Sequence, residues 1–281
     1  MIFEHEIPKG SRLYFGKTAK LKRELENKIS DILYENNFEE IVSPNFSYSQ
    51  HQSITDEKKL INFSDVENNQ VSLRADSTLD VVRIITKRLG RTTAHKKWFY
   101  VQPVFSYPSK EDYQIGCEWI DHDDIGDILN LIANILININ VKPILQLSNI
   151  NIPKLVSKEL DIDIELFKNG EIAQLFDLDI SWLNSLIRVK SIEDLKDVVP
   201  LVPSSIKTHL EKLLNTALKV DYDNLVIAPL YHGSLKYYDD VYFRVIQNNF
   251  VICKGGKYSA DGISSLGFAL YTDSLLKILE D

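Results

Sequence analysis

VQPVFSYPSKEDYQIGCEWI, residues 101–120, is the stretch on which the fold turns. Extended by three residues at its start, it divides into two aromatic-rich runs, Trp98–Phe105 (WFYVQPVF) and Tyr113–Ile120 (YQIGCEWI). The polar break between them, Ser106–Asp112, predicts two strands joined through a loop. On the second strand Gln114, Gly116 and Glu118 point the same way, because successive strand residues alternate faces. An amide and a carboxylate then flank a glycine that leaves open space between them. A buried carboxylate needs a cation or a donor beside it, so the trio reads either as the wall of a small-ligand pocket or as a solvent-facing strand edge. Tyr237-Tyr238 offers the same two readings, pocket lining or packing.

Upstream, residues 17–37 place Leu21, Leu25, Ile29, Ile32 and Leu33 on one helical stripe, stopped by Asn36-Asn37. Phe38–Pro44 (FEEIVSP) reads as a strand ended by proline. Ser77–Leu89 reads as a helix with Asp76 or Ser77 at its N-cap and Gly90 at its C-cap. Downstream, Asp124–Asn140 is amphipathic through Ile125, Ile128, Leu129, Ile132 and Leu136, and Pro143–Ser148 returns to strand. Residues 151–221 change texture, to helical segments split by short polar breaks, and predict a helical insertion. The flanking segments, 1–150 and 222–281, form one discontinuous core domain in this reading. Strands resume at Leu225–Pro229, then at Val241–Gln247 and Phe250–Lys254 with Asn248-Asn249 as a two-residue turn. A last helix is expected from about Gly267 to Leu279. The fold class expected is α+β, a mainly antiparallel sheet flanked by helices.

Composition bounds the function. With 281 residues, 44% hydrophobic and 26% charged, the chain supports a sizeable core and is not a disordered polymer. Thirty-two Lys and Arg against forty Asp and Glu give −8, which argues against general nucleic-acid binding by phosphate neutralisation. Two cysteines, Cys117 and Cys253, make no disulfide framework and suit a reducing compartment. Met1–Lys9 lacks the basic end and apolar run of a signal peptide. The apolar stretch Ile125–Leu147 is broken by Asn130, Asn134, Asn138, Asn140 and Lys142, so no membrane span is expected. The expectation is a soluble, cytoplasmic protein.

Several chemistries lack their motifs. Gly255-Gly256-Lys257 is followed by Tyr258 and lacks phosphate-loop spacing. There is no C-x-x-C or H-E-x-x-H to bind zinc. Asp121-His122-Asp123-Asp124 precedes a helix, and four adjacent residues cannot all converge on one ion, so they read as solvated N-cap acids. Neither a metal nor a cofactor is expected.

Segments in order along the chain resemble the catalytic core of histidyl-tRNA synthetase, a class II aminoacyl-tRNA synthetase. Pro8–Arg12 (PKGSR) resembles that family's entry segment, and residues 17–44 its motif 1, which implies a dimer interface there. LRADST (Leu73–Thr78) resembles LRPEGT, and residues 101–120 resemble motif 2. LKYYDDVYF (235–243) resembles the histidine-specific LDYYTG segment, and residues 255–276 resemble motif 3. The resemblance implies a class II synthetase-like antiparallel sheet. It also implies a histidine pocket made of Asp76, Thr78, Gln114, Glu118, Tyr237 and Tyr238, with carboxylates facing the α-amino group and the imidazole.

Where the family places arginines to stabilise charge on the ATP α-phosphate, this chain has Ser106 and Ser274, and the histidine-specific arginine aligns near Gly233. Only 14 residues follow Gly267, so no anticodon-binding domain, and no tRNA, is expected. A synthetase core without its activating cations is similar to one branch of the family, the regulatory subunits of ATP phosphoribosyltransferase. That resemblance implies no catalytic residue in this chain, a short catalytic subunit as partner, a hetero-oligomer, and feedback by histidine in the first step of histidine biosynthesis. It leaves open whether histidine sits in the synthetase-like pocket or at the subunit interface. The alternatives are a divergent class II aminoacyl ligase that activates an amino acid with ATP, and a scaffolding paralogue.

Overall fold

The computed structural model describes residues 6–51, 57–233, 238–260 and 262–280, which fall into two compact units. The first unit holds residues up to Asp121 together with Ala260–Ile263 and Gly267–Asp281, and the second holds His122–Ser259 and Ser264–Leu266.

In the first unit, α1 (Gly16–Glu35) buries Leu25, Ile29, Ile32 and Leu33 along its predicted stripe. It ends where Asn36 Nδ2 donates to the Ile32 carbonyl and Asn37 takes the left-handed conformation (φ 62°), which Asn tolerates better than most residues. Short strands come next: β1 (Glu39–Glu40), β2 (Phe46–Tyr48), β3 (Asn62–Ser64) and β4 (Gln70–Leu73). Helix α2 (Thr78–Arg83) passes into a wider π-type turn, Ile84–Leu89. The hairpin of β5 (Lys97–Ser106) and β6 (Lys110–Ile120) is the longest pairing, antiparallel from Lys97↔Trp119 to Ser106↔Lys110. This unit's larger sheet runs β1-β5-β6-β11, with β1 parallel to β5, and β2-β4-β3 form a small antiparallel sheet of their own.

The second unit begins with α3 (Ile125–Asn138), whose N-cap Asp124 accepts a hydrogen bond from the Gly126 amide at 3.0 Å. Strand β7 (Ile144–Asn149) leads into helices α4 (Asn151–Leu160), α5 (Glu165–Lys168), α6 (Ser181–Ile187), α7 (Ile192–Val198) and α8 (Ser204–Ala217). Ser191 opens α7 with a reciprocal capping box to Asp194. Strands β8 (Leu225–Ile227), β9 (Tyr238–Gln247) and β10 (Phe250–Ala260) complete a sheet in the order β10-β9-β7-β8. Asn248 is left-handed at the β9–β10 turn, as the two-residue turn requires. The chain then forms β11 (Ile263–Tyr271) and α9 (Thr272–Glu280).

The α+β class is as expected, with antiparallel pairing dominant and β7/β8 and β1/β5 parallel. Several local expectations change. The β5–β6 loop is only Tyr107–Ser109, because the charged run Lys110–Asp112 stays extended in the ladder. Gly267–Tyr271 is strand, and the last helix starts at Thr272; a short apolar run carries no period that separates helix from strand. Phe38–Pro44 shrinks to the two residues of β1. Gly90 has φ −59°, so it ends its helix without the left-handed cap. No helix among the described residues is long and apolar enough to cross a membrane.

Candidate functional site

The LRADST segment enters the first unit on Arg74, which is fully buried. Its guanidinium donates to the carbonyls of Ser43 (3.1 Å), Pro44 (2.8 Å) and Pro103 (2.6 and 3.1 Å), and to Asn45 Oδ1 (3.1 Å). Its own amide donates to the Asn45 carbonyl at 2.7 Å, and its carbonyl accepts from Phe105 N at 2.9 Å. A buried cation is tolerable only when its donors are met, and here carbonyls meet them. Arg74 thereby clamps the loop between Ser43–Asn45 and β5, and it sets the position of the next two turns of chain.

Asp76, two residues on, is partly exposed, with one carboxylate oxygen 3.4 Å from the Leu79 amide. Its surroundings strip enough water to push its pKa up to about 6; the amides of Leu79 and Thr78 oppose that rise and neighbouring Asp80 adds to it. Thr78, at the start of α2, places its hydroxyl 3.5 Å from the Tyr100 hydroxyl. Tyr100 in turn donates to Glu118 Oε1 at 3.3 Å, and both side chains are fully buried. Burial first, and the Glu118 charge second, hold the Tyr100 phenol well above its ordinary pKa, so it remains a donor.

Two glycines admit these groups. A Cβ on Gly267 would collide with the Glu118 carboxylate and with the Cys117 carbonyl, so Glu118 lies across β11 at the point where that strand has no side chain. A Cβ on Gly116 would overlap the Tyr100 phenol. The space predicted to be open beside Gly116 is therefore occupied by Tyr100, which is paired directly opposite it. Gln114 is half-buried and opposite Gln102, whose side chain is committed to Ser43 and Ser77. Asp76, Thr78 and Glu118 thus gather around Tyr100, with Gln114 one ladder step further along the Gly116 face.

The second unit holds Tyr238, buried and stacked on Tyr242 with centroids 5.7 Å apart and 14° between planes. Tyr237 lies outside the described residues. At Gly233, where the family's arginine aligns, a Cβ would lie 2.7 Å from the buried Tyr242 ring. No side chain fits there without moving that tyrosine. The other two arginine positions carry only hydroxyls, Ser106 at the end of β5 and Ser274 in α9. Beside Ser274, Asp273 is ion-paired with Arg12 at 3.4 Å and bonded by the Tyr14 hydroxyl.

The Asp121–Asp124 run divides among separate tasks. Asp121 pairs with Lys96, His122 sits 2.7 Å from Asp127, Asp123 takes Lys257 at 2.5 Å, and Asp124 caps α3. Among the described residues no three His, Cys, Asp or Glu side chains gather as metal ligands. Pattern reading missed Arg74 and Tyr100. Tyr100 was within reach, because pairing the strands through a three-residue turn puts it opposite Gly116, whereas the longer loop puts Gln102 there.

Comparison with known proteins adds a family. The histidyl-tRNA synthetase family profile matches residues 14–275. A protein of Wolinella succinogenes named ATP phosphoribosyltransferase regulatory subunit is 44% identical over 277 residues, 99% of this chain and 96% of its own length. One of the same name from Helicobacter hepaticus is 40% identical over 99% of both chains. A crystal structure from Bacillus halodurans, described as an ATP phosphoribosyltransferase regulatory subunit/histidyl-tRNA synthetase, superposes with a TM-score of 0.83 at 17% identity, covering 99% of this chain and 84% of the other.

Proposed function

This chain belongs to the histidyl-tRNA synthetase family, among its ATP phosphoribosyltransferase regulatory subunits, and from that premise we propose that it switches a separate short catalytic subunit on and lets histidine switch it off. The observation that carries the reading is the 44% identity to a so-named relative, extending over 99% of this chain and 96% of that one.

The chain itself is read as non-catalytic. Adenylation builds negative charge on the α-phosphate, and losing a single preformed donor to such charge typically costs ~10²–10³ in rate. Here Ser106, Ser274 and Gly233 stand at all three arginine positions. Arg12 is tied to Asp273, and the Arg74 guanidinium is spent on the loop it clamps. Histidine is proposed to place its ammonium and imidazole donors against Asp76 and Glu118, with Thr78 and Gln114 of the same unit beside them. In support, two acids of the first unit lie about one phenol, Glu118 accepting from Tyr100 and Asp76 near enough for its charge to help raise the Tyr100 pKa. Carboxylates held in place in this way are acceptors suited to the ammonium and ring N–H of a zwitterion.

Reconstitution tests the reading. The short catalytic subunit should show little phosphoribosyl transfer alone, full activity with this chain, and loss of that activity on adding histidine. A catalytic subunit equally active without it would overturn the proposal. Amino-acid-dependent exchange of pyrophosphate into ATP by this chain would instead support the aminoacyl-ligase alternative. For the pocket, histidine at ~100 times Kd should add about 2.7 kcal/mol to the stability of the isolated chain. That gain should disappear in Glu118→Gln, and an equal shift in the variant would count against these residues.

A further inference from the structure

The small β2-β4-β3 sheet of the first unit is turned inside out. Its pairings Phe46↔Leu73, Tyr48↔Val71 and Phe63↔Val71 gather apolar side chains on one face, while Ser47↔Ser72 and Asn62↔Ser72 gather polar ones on the other. A one-sided sheet ordinarily buries its apolar face. Here Ser47 and Ser72 are buried, and Phe46, Tyr48 and Phe63 are exposed. Beneath the polar face, Ser47 Oγ donates to Asp80 Oδ1 at 3.1 Å, and Arg83 Nη2 donates to the same oxygen at 3.0 Å. Beside Nη2, however, Arg83 Nε is buried without a hydrogen-bond partner, as are Ser72 Oγ and His51 Nδ1. Buried polar atoms left unbonded are costly, and a guanidinium N–H in that state wants an acceptor.

Strand β2 is an edge of that sheet, and its residues line an open cavity of about 910 Å³. Tyr48, Val71, Ile84 and Leu89 give the cavity apolar walls, and Arg83, Lys87 and Arg88 bring three cations to it. Its two acids, Asp65 and Asp80, are already bonded. Asp80 takes Ser47 and Arg83, and Asp65 takes the amides of Glu67 and Asn69, each at 2.9 Å. Arg88 is exposed and has no ion pair among the described residues. The balance of charge is felt at His51, whose ring meets that of Tyr48 edge-on. Burial first, then the Arg83 and Lys87 charges against the opposing pull of Asp80, hold the His51 pKa below its ordinary value. A lone inorganic anion does not need this volume, whereas an organic ligand does. An arginine with a free N–H suits a carboxylate, and apolar walls that include a tyrosine ring suit a flat apolar body.

We propose that this cavity binds a small organic acid, its carboxylate at Arg83 and Arg88 and its body against Tyr48, Val71 and Ile84. Both arginines lie outside the segments that resemble the synthetase motifs, and the proposal stands independently of the histidine reading. The probe is benzoate, titrated calorimetrically into the full chain, with benzyl alcohol and acetate alongside. Benzoate should bind saturably with one site per chain, at least tenfold more tightly than either comparator, and saturating histidine should not displace it. Arg83→Lys keeps a cation for Asp80 and removes the Nε–H; it should weaken benzoate about tenfold, as the loss of a hydrogen bond to a charged group does. An arginine kept only for its pair with Asp80 would leave that affinity unchanged. Arg88→Gln should weaken benzoate about threefold without altering the melting temperature, and both variants should keep the response to histidine. The proposal is overturned if benzoate shows no saturable binding to tens of millimolar, if benzyl alcohol or acetate binds as tightly, if histidine displaces benzoate, or if either variant binds it as the parent does.

Discussion

Asp76 shows what one side chain's surroundings imply for both stability and binding. Its folded pKa of about 6 lies above the ordinary carboxylate value of 3.8. Between those values the folded chain holds a proton that the unfolded chain has released, so stability falls as pH rises through the window. Above about pH 6 the penalty is complete and amounts to at most about 3 kcal/mol, at 1.36 kcal/mol per unit. Asp76→Asn keeps an oxygen to accept from the Leu79 amide and removes the charge. It should therefore be more stable than the parent at pH 7 and indistinguishable from it below pH 4, as read by urea unfolding at both values. If the carboxylate serves the ligand, the stabler variant should also lose the histidine-dependent melting shift. A purely structural acid would leave that shift intact.

At the scale of elements the β5–β6 hairpin positions the site, and its register is only half legible in the sequence. The alternation of Gln114, Gly116 and Glu118 gives the correct face, because any two-residue slip preserves the facing of every side chain. It does not give the partner, since Lys110–Asp112 looks like loop in composition but is paired to Val104–Ser106 in the ladder. That slip exchanges Gln102 for Tyr100 opposite Gly116 and turns an empty space into a filled one. Helices α1 and α3 are legible nearly to the residue, since long amphipathic stripes with an Asn stop or an Asp cap leave little choice. The three-stranded β2-β4-β3 sheet is not, because strands of three or four residues are too short to show a period. The hairpin register can be tested by coupling. Gly116→Ala should cost about 1–3 kcal/mol through overpacking, and Tyr100→Ala about 3–5 kcal/mol through a cavity. The double variant should lose clearly less than their sum, because the added methyl enters the space the phenol has left. Coupling of Gly116→Ala with Gln102 in place of Tyr100 would restore the slipped register.

At the scale of the whole molecule, the proposed feedback requires an assembly whose states histidine can tell apart, a coupling typically worth about 1–3 kcal/mol. The 17–44 region is proposed as the self-association surface, and its chemistry is compatible with that role. Helix α1 turns Leu25, Ile29, Ile32 and Leu33 inward, yet the segment after it leaves Val42 82% exposed, with Phe46 60% exposed shortly beyond. Between them Ser43 and Pro44 are held rigid by the Arg74 clamp, so Val42 is presented on a fixed backbone rather than on a loose loop. An exposed β-branched side chain on a fixed support contributes little to its own fold and much to a partner surface. Val42→Glu should therefore leave the melting temperature of the dilute chain within a degree or two while shifting sedimentation from dimer to monomer. It should also remove the rise of melting temperature with protein concentration that association imposes. A folded variant that remained dimeric would place the interface elsewhere. A monomeric variant that still activated the catalytic subunit would separate dimerisation from regulation.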